Sequence, residues 1–415
     1  MTKLLFIIPP NFYVVNEDAA PPTQLEPFFK LGNFELFHLY RGDALERIPE
    51  ADYYGITAYT EDYVVSEVIA KYLKSRNPKA KIILGGSHAT CRYNDISSLF
   101  DYVIIGPGED FIKGFLDSEL PQNRIFNGQF QAIDYWSENS FHKFRGYIPG
   151  LHRGTTNTYS IRTSIGCYWK CKFCMKHRHV IFRSVEDIKQ QLEYLRRAGV
   201  ETLRVMDDIF TSHPQFTLLA EMFSDFSWSA VDRIDKLTSV RAKFLKENGC
   251  FLVQVGIESF DEAIRVKLGK QLPESSLIKH IKIVKDAGLN IQAFLMLGTP
   301  WDTPNIINAN IDKGLSLLGR EYLRPDIFCA LPGTEIGDNL ERYNLKKLET
   351  DYIYYTTFPF QNVHGQLSTV PADIKDIDLW ERLLRDTLYE LSPDIVRKIL
   401  EHPIKTWITD YENFD

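Results

Sequence analysis

Over roughly the first 118 residues, short apolar runs ended by glycine or proline alternate with amphipathic stretches. Leu4 to Pro10 (LLFIIPP) reads as a buried strand stopped by its prolines, and Asp52 to Thr60 as the next. Tyr63 to Ser75 carries Val65, Ile69 and Tyr72 at helical spacing. KIILGGSH runs a strand into Gly85 and Gly86, and DYVIIGPGED repeats the form with Gly106 and Gly108. Strand, glycine turn, helix, strand predicts an open parallel α/β sheet, whose ligands sit at the carboxyl ends of its strands. A glycine there lets backbone approach a ligand; taken singly, each is read more simply as a tight turn.

Residues 119–157 lack a clear period and are read as a linker. The βα pattern returns over 158–342. Tyr159 to Gly166 is a strand, and Ser184 opens a helix with Val185, Ile188, Leu192 and Leu195 as its stripe. RRAGV, KENGC and KDAGL each read as a helix end, a glycine C-cap (Gly199, Gly249, Gly288) and a strand start. The strands ETLRVMDDIF, FLVQVGIESF, NIQAFLMLGTP and PDIFCALPGT follow in turn. Residues 343–415 form a short extension, with an amphipathic helix in DIKDIDLWERLLRDTLYEL and an aperiodic aromatic stretch, TDYIYYTTFPF. The expected fold is α/β: an N-terminal Rossmann-like (flavodoxin-like) parallel sheet, a partial (β/α)6 TIM-type barrel and a mostly helical extension. Asp207, Asp208, Glu258 and Ser259 would then line the barrel mouth.

The chain has 415 residues, of which 44% are hydrophobic and 25% charged, as expected of a globular protein. A net charge of -7 argues against binding bulk nucleic acid. The N-terminus lacks a signal-peptide cleavage site and no apolar run reaches spanning length, so the expected compartment is the cytoplasm, without a membrane. Six cysteines in so long a chain do not make a disulfide framework.

Three of them, Cys167, Cys171 and Cys174, stand in SIGCYWKCKFCMKHR at C-x3-C-x2-C spacing. Three thiolates on one loop can hold three irons of a [4Fe–4S] cube and leave the fourth open to a substrate. Phe173 could shield the cluster, and Lys170, Lys172 and Lys176 could moderate its charge. The alternative is structural zinc, with His177 or His179 completing a Cys3His set.

The motif, with an aromatic before its last cysteine and a strand ahead of it, resembles the signature of the radical S-adenosylmethionine (radical SAM) superfamily. RVMDDIF, Arg233 in SWSAVDRIDKL, VGIESFDEAIRVKLGK, FLMLGTPWDT and ALPGTEI resemble, in order, later segments of that barrel. Asp302 stands where the related pattern has glutamate. GITAYT, KIILGGSHAT and YVIIGPGED resemble the cobalamin-binding domain that one subgroup carries ahead of its barrel, with Pro107 in place of a glutamate. A D-x-H-x-x-G segment that would aim a histidine at cobalt is absent, and His38 is read as an ordinary domain histidine.

The resemblance implies reductive cleavage of S-adenosylmethionine (SAM) at the open iron and hydrogen abstraction from an unactivated C–H bond. It implies cobalamin as a further cofactor, methyl transfer as the leading reaction, and an electron donor such as flavodoxin or ferredoxin. It also suggests Asp207 and Asp208 for the SAM ammonium, Glu258 and Ser259 for its ribose or methionyl group, Arg233 for its carboxylate, and Gly298 as a platform for adenine. For Arg233 an ion pair with Asp232 or Asp235 is the plainer reading. Cys329 is a weak candidate hydrogen donor, and Cys91 and Cys250 read as structural. Two other readings remain: a rearranging or ring-forming radical SAM enzyme whose first domain is scaffold, and a non-catalytic zinc or iron–sulfur protein. The substrate is not legible.

Overall fold

A computed structural model of the chain describes residues 3–10, 25–40, 42–129, 134, 136–138, 140–141, 157–175, 179–348 and 369–391. The first sheet has six strands: β1 (Leu4–Ile8), β2 (Glu35–His38), β3 (Tyr53–Thr57), β4 (Lys81–Gly85), β5 (Tyr102–Ile105) and β6 (Ile125–Asn127). All pair in parallel in the order β2-β1-β3-β4-β5-β6. Both faces are covered, as a parallel sheet requires. Leu5, Ile7, Ile56, Ile82 and Leu84 pack with Val65, Ile69 and Leu73 of α2 (Tyr63–Arg76). On the other face Leu4, Phe6, Ile8 and Ile83 pack with Phe29 of α1 (Glu26–Leu31) and Phe111 of α4 (Glu109–Leu116). Between them in the chain lies α3 (Ser87–Arg92). Strand order reverses between β1 and β3, the place where such sheets open a ligand crevice.

Two expectations need correction here. The expected linker of 119–157 contains β6, so the first sheet extends to Asn127. In α2, Leu73 is buried where Tyr72 was expected, and Tyr72 is only half-buried.

The barrel strands are β7 (Thr158–Ile161), β10 (Thr202–Val205), β11 (Ser227–Asp232), β12 (Cys250–Glu258), β13 (Asn290–Leu297) and β14 (Leu323–Ile327). They form one parallel sheet in the order β14-β13-β12-β11-β10-β7, with β14 and β7 as its two edges: a partial six-stranded barrel. Alternation along β13 is plain: Ile291, Ala293, Leu295 and Leu297 are buried, while Gln292, Phe294 and Met296 are half-buried. The first set joins Ile188, Leu192 and Leu195 of α5 (Val185–Arg197), together with the apolar faces of α6 (Phe216–Met222), α7 (Ser239–Glu247), α9 (Glu274–Asp286) and α10 (Pro304–Leu318). That core is continuous with the α1/α4 side of the first sheet, so the two domains share it.

Ser184 caps α5 as expected, its hydroxyl accepting from the Asp187 N–H at 3.1 Å. Gly199, Gly249 and Gly288 end their helices with φ of 73°, 88° and 79°. In the extension, β15 (Leu345–Lys347) pairs antiparallel with β16 (Thr369–Pro371), and α11 (Ile377–Leu391) buries Trp380, Leu384 and Leu388 in the main core. TDYIYYTTFPF lies outside the described residues. Among them no helix is long and apolar enough to cross a membrane.

Candidate iron-sulfur and cofactor site

The cysteine loop leaves β8 (Ser164–Ile165) and returns at β9 (Ile181–Phe182), and the two pair antiparallel to close its base. Cys167, Cys171 and Cys174 are all half-buried along it. The Cys174 N–H donates to the Cys171 carbonyl at 3.2 Å, making the turn that brings those two together. The Lys172 backbone is held on both sides: its N–H donates to the Leu268 carbonyl, and its carbonyl accepts from the Ile336 N–H. Gly269, just past α8 (Glu262–Lys267), makes this approach possible, because a Cβ there would stand 2.9 Å from the Lys170 carbonyl oxygen. Phe173 packs on the apolar cluster of Leu268, Phe328, Ile336 and Tyr343, and so anchors the loop. Lys172 lies over the Tyr343 ring at 5.5 Å. Lys176 and His177 lie outside the described residues.

The donor set fits a cubane. Among the described residues no three His, Cys, Asp or Glu side chains converge as they would on a single ion. A cube needs no such convergence, because each thiolate takes its own iron. Burial pushes the Cys171 thiol up, while Lys270 and Arg233 pull it down. The same two cations would favour thiolate and a negatively charged cluster.

Both aspartates after β10 serve the loop. Asp207 is 2% exposed. Its carboxylate accepts from the Thr163 N–H at 2.7 Å, the Ser164 N–H at 3.1 Å, the Ser164 hydroxyl at 2.9 Å and the Thr163 hydroxyl. Burial raises its pKa, and the Thr163 and Ser164 bonds oppose the rise. Asp208 accepts from the Gly166 N–H at 2.9 Å. The expectation that Asp207 meets the SAM ammonium is therefore corrected: it anchors the entry to the cysteine loop.

Ser259 is corrected in the same way. Fully buried, it exchanges hydrogen bonds with Asn310 of α10 at 3.0 and 3.2 Å and accepts from the Asp261 N–H. At Gly298, φ is 83° and a Cβ would meet Leu384 at 3.0 Å, so the glycine lets α11 pack closely on the end of β13. Arg233 pairs with Asp235 through Nε at 2.9 Å, and its guanidinium stacks 3.6 Å from the centre of the Trp169 ring. The plainer ion-pair reading holds, with the addition that Arg233 grips the cysteine loop through Trp169.

Glu258 lies close enough to Cys171 to raise its thiol. It sits at a register shift ending β12, with φ of 67°, an uncommon value for a side-chain-bearing residue. Its carboxylate pairs with Lys270 at 2.7 Å, and Lys270 also donates to the Gly256 carbonyl. Gly256 leaves room for this, since a Cβ would stand 2.3 Å from Glu258 Oε1. Lys270 and Trp169 were not foreseen as site residues; the lysine closes the VGIESFDEAIRVKLGK segment. Cys329 is buried just past β14, and burial pushes Cys250 up to about 12.

The first domain reaches this loop through α3. Cys91, at the end of α3, touches Met175 across 3.4 Å, sulfur to sulfur, next to Cys174. Burial raises the Cys91 thiol. Gly85 has open space where its Cβ would be, with only Ile104 at 4.0 Å. Gly86, at φ 97°, fits against the Ala58 backbone, and Gly108 lies under Phe28, so both follow the plainer reading of packing and turn. Gly106 adopts φ of 75° and its N–H donates to the Thr90 hydroxyl at 3.0 Å. His88 is buried and stacks on Tyr63 at 4.2 Å, and burial lowers it to about 4. His38 ends the edge strand β2, half-buried, with its pKa lowered by burial.

The chain is similar to known proteins over both domains. The B12 binding domain model matches residues 43–116, and the radical SAM superfamily model matches residues 161–308. An uncharacterized methyltransferase of Pyrococcus horikoshii is 27% identical over 342 residues, which span 74% of this chain and 73% of that protein. The radical SAM methyltransferase TsrM from Kitasatospora setae, solved with tryptophan and a SAM analog, superposes with a TM-score of 0.66 at 16% identity, covering 94% of this chain and 89% of that one. The cobalamin-dependent radical enzyme OxsB, solved with aqua-cobalamin and SAM, gives 0.59 at 14% identity over 98% of this chain and 58% of that one. At these identities the two structures speak for the fold. Two family matches in this order, on a barrel whose first loop carries the three cysteines, give the chain a radical SAM domain with a B12-binding domain ahead of it.

Proposed function

We propose that this protein is a cobalamin-dependent radical SAM methyltransferase. Its cysteines 167, 171 and 174 hold a [4Fe–4S] cluster, and its first domain holds cobalamin over Gly85 and Gly106. The observation that supports this reading is the contact of Cys91 with Met175, which brings α3, the helix that follows β4, to the cysteine loop. Bound there, the cluster would supply the electron that cleaves the sulfonium of SAM, and cobalamin would supply a methyl carrier.

The chain's own residues do the rest. Asp207, Asp208 and Gly269 fix the path of the loop. Lys270 and Arg233 set positive charge beside Cys171. Glu258, held by Lys270, offers its remaining carboxylate capacity to SAM hydroxyl or ammonium groups. With no D-x-H-x-x-G segment to aim a histidine at cobalt, methyl transfer is favoured over homolysis of a cobalt–carbon bond.

Equilibrium dialysis of the full chain with hydroxocobalamin tests the first domain's part. Wild type should bind, and Gly85→Leu, which grows into open space, should lose binding while melting as wild type does. Equal binding by both proteins would move the site away from β4. Methyl-labelled SAM should pass its label to the bound corrinoid; label found only in methionine would remove methyl transfer.

A further inference from the structure

The inner face of the barrel sheet is polar along its last strands. Register places Gln254 beside Gln292, Phe294 beside Arg324, and Met296 beside Asp326. In β14, Leu323, Pro325 and Ile327 are buried outward, and the two charged residues between them are half-buried on the other face.

Elsewhere in the barrel, buried opposite charges close on each other. Arg183 pairs with Asp187, Arg233 with Asp235, and Lys270 with Glu258. Arg324 and Asp326 do not. Among the described residues, Arg324 Nε and Asp326 Oδ1 are buried with no hydrogen-bond partner, and the guanidinium lies 5.8 Å from the centre of the Phe294 ring. Protein surrounds the Asp326 carboxyl, and this burial pushes it up to about 6, with Arg324 opposing and Glu258 adding to the rise. Asp326 therefore shares a local field with the Glu258 site. Two strands away, on β12, Gln254 is fully buried; its amide donates to Gln292 at 2.8 Å, and its own Oε1 accepts from nothing among the described residues.

Charges of both signs, each with one buried polar atom unpartnered and two positions apart on one strand, stand about 6.6 Å apart at the backbone. Buried, such groups are costly unless a ligand completes them. We infer that Arg324 and Asp326 recognise the two ends of a zwitterion, so that the substrate is a free α-amino acid whose carboxylate meets Arg324 and whose ammonium meets Asp326. A peptide interior carries neither charge and would leave both residues unmet. This inference rests on the barrel being the substrate site of the enzyme proposed above, and it names the substrate class.

The test is calorimetric titration of the reconstituted full chain with the standard L-α-amino acids, one at a time, alongside their N-acetyl amides. At least one free amino acid should bind and its N-acetyl amide should not. Asp326→Asn and Arg324→Gln should each weaken that binding about 10- to 100-fold, the loss expected for one charge-assisted hydrogen bond. Unliganded Asp326→Asn should melt at or above the wild-type temperature, because it removes an unpaired buried charge. A purely structural Asp326 would melt lower on substitution, and that outcome overturns the inference. So does the absence of binding by any free amino acid at about 10 mM, or equal binding of the blocked form. The titration does not depend on turnover. Wild type that cleaves SAM and binds no amino acid sinks this inference alone. Wild type that binds an amino acid and cleaves no SAM upholds it and removes the enzyme reading.

Discussion

Replacing Asp207 with alanine separates an anchor from a ligand. The carboxylate takes two backbone N–H groups, of Thr163 and Ser164, and both neighbouring hydroxyls. The hydroxyls can turn to other acceptors; the backbone donors cannot. Leaving two buried donors unmet costs about 1–3 kcal/mol each. Relief of the buried carboxylate's desolvation offsets part of that, so a net loss of about 2–4 kcal/mol is expected. In a chain of this size the loss lowers the melting temperature by roughly 2–5 °C. Asp207→Asn keeps one acceptor oxygen and the side chain's shape, and should lose about 1 kcal/mol. Scanning calorimetry and iron analysis after anaerobic reconstitution read both effects, and iron content should fall in step with stability. Asp207→Ala with wild-type melting and full iron but no SAM binding would refute the anchor reading and return Asp207 to the SAM ammonium.

Other substitutions probe the same frame. Gly269→Ala places a Cβ against the Lys170 carbonyl in left-handed backbone, and should lower iron loading and cost about 1–3 kcal/mol; unchanged iron content would show that the loop does not need this approach. Lys270→Met strands the Glu258 carboxylate in a buried site and should destabilise by about 3–5 kcal/mol on thermal unfolding, whereas a smaller loss in Lys270→Met/Glu258→Gln would confirm that the pair is coupled. Glu26, between the domains, accepts from Tyr159 at 3.0 Å and is raised by burial from 4.5 to about 7. Between those values the folded state keeps a proton that the unfolded chain has shed. Stability is thus fully present below about pH 4.5 and falls by about 3 kcal/mol as pH rises to about 7. Glu26→Gln should flatten that slope in urea titrations, and an unchanged slope would assign it to other groups.

Much of the architecture was legible because apolar runs and glycine caps report backbone directly. Gly199, Gly249 and Gly288 mark helix ends, and the cysteine spacing marks its loop. The edge strands were harder. β2 is partly exposed, and β6 is three residues in an aromatic, polar stretch, so neither shows a period. Polar side chains at strand ends were the least legible. Asp207 finds Thr163 44 residues away and Ser259 finds Asn310 51 residues away, separations that no local pattern encodes. Gly298 faces a helix that follows much later in the chain. In β14, a proline between Arg324 and Asp326 hid the alternation that puts both on the inner face.

Anaerobic iron analysis with SAM turnover tests the role of the cysteine loop most directly. Wild type should take up about four irons per chain, show a reducible paramagnetic signal that SAM perturbs, and release methionine. Cys171→Ala should lose the signal and the cleavage while the chain keeps its cooperative melting transition. Stoichiometric zinc in place of iron, or SAM cleavage that survives loss of Cys171, would contradict it.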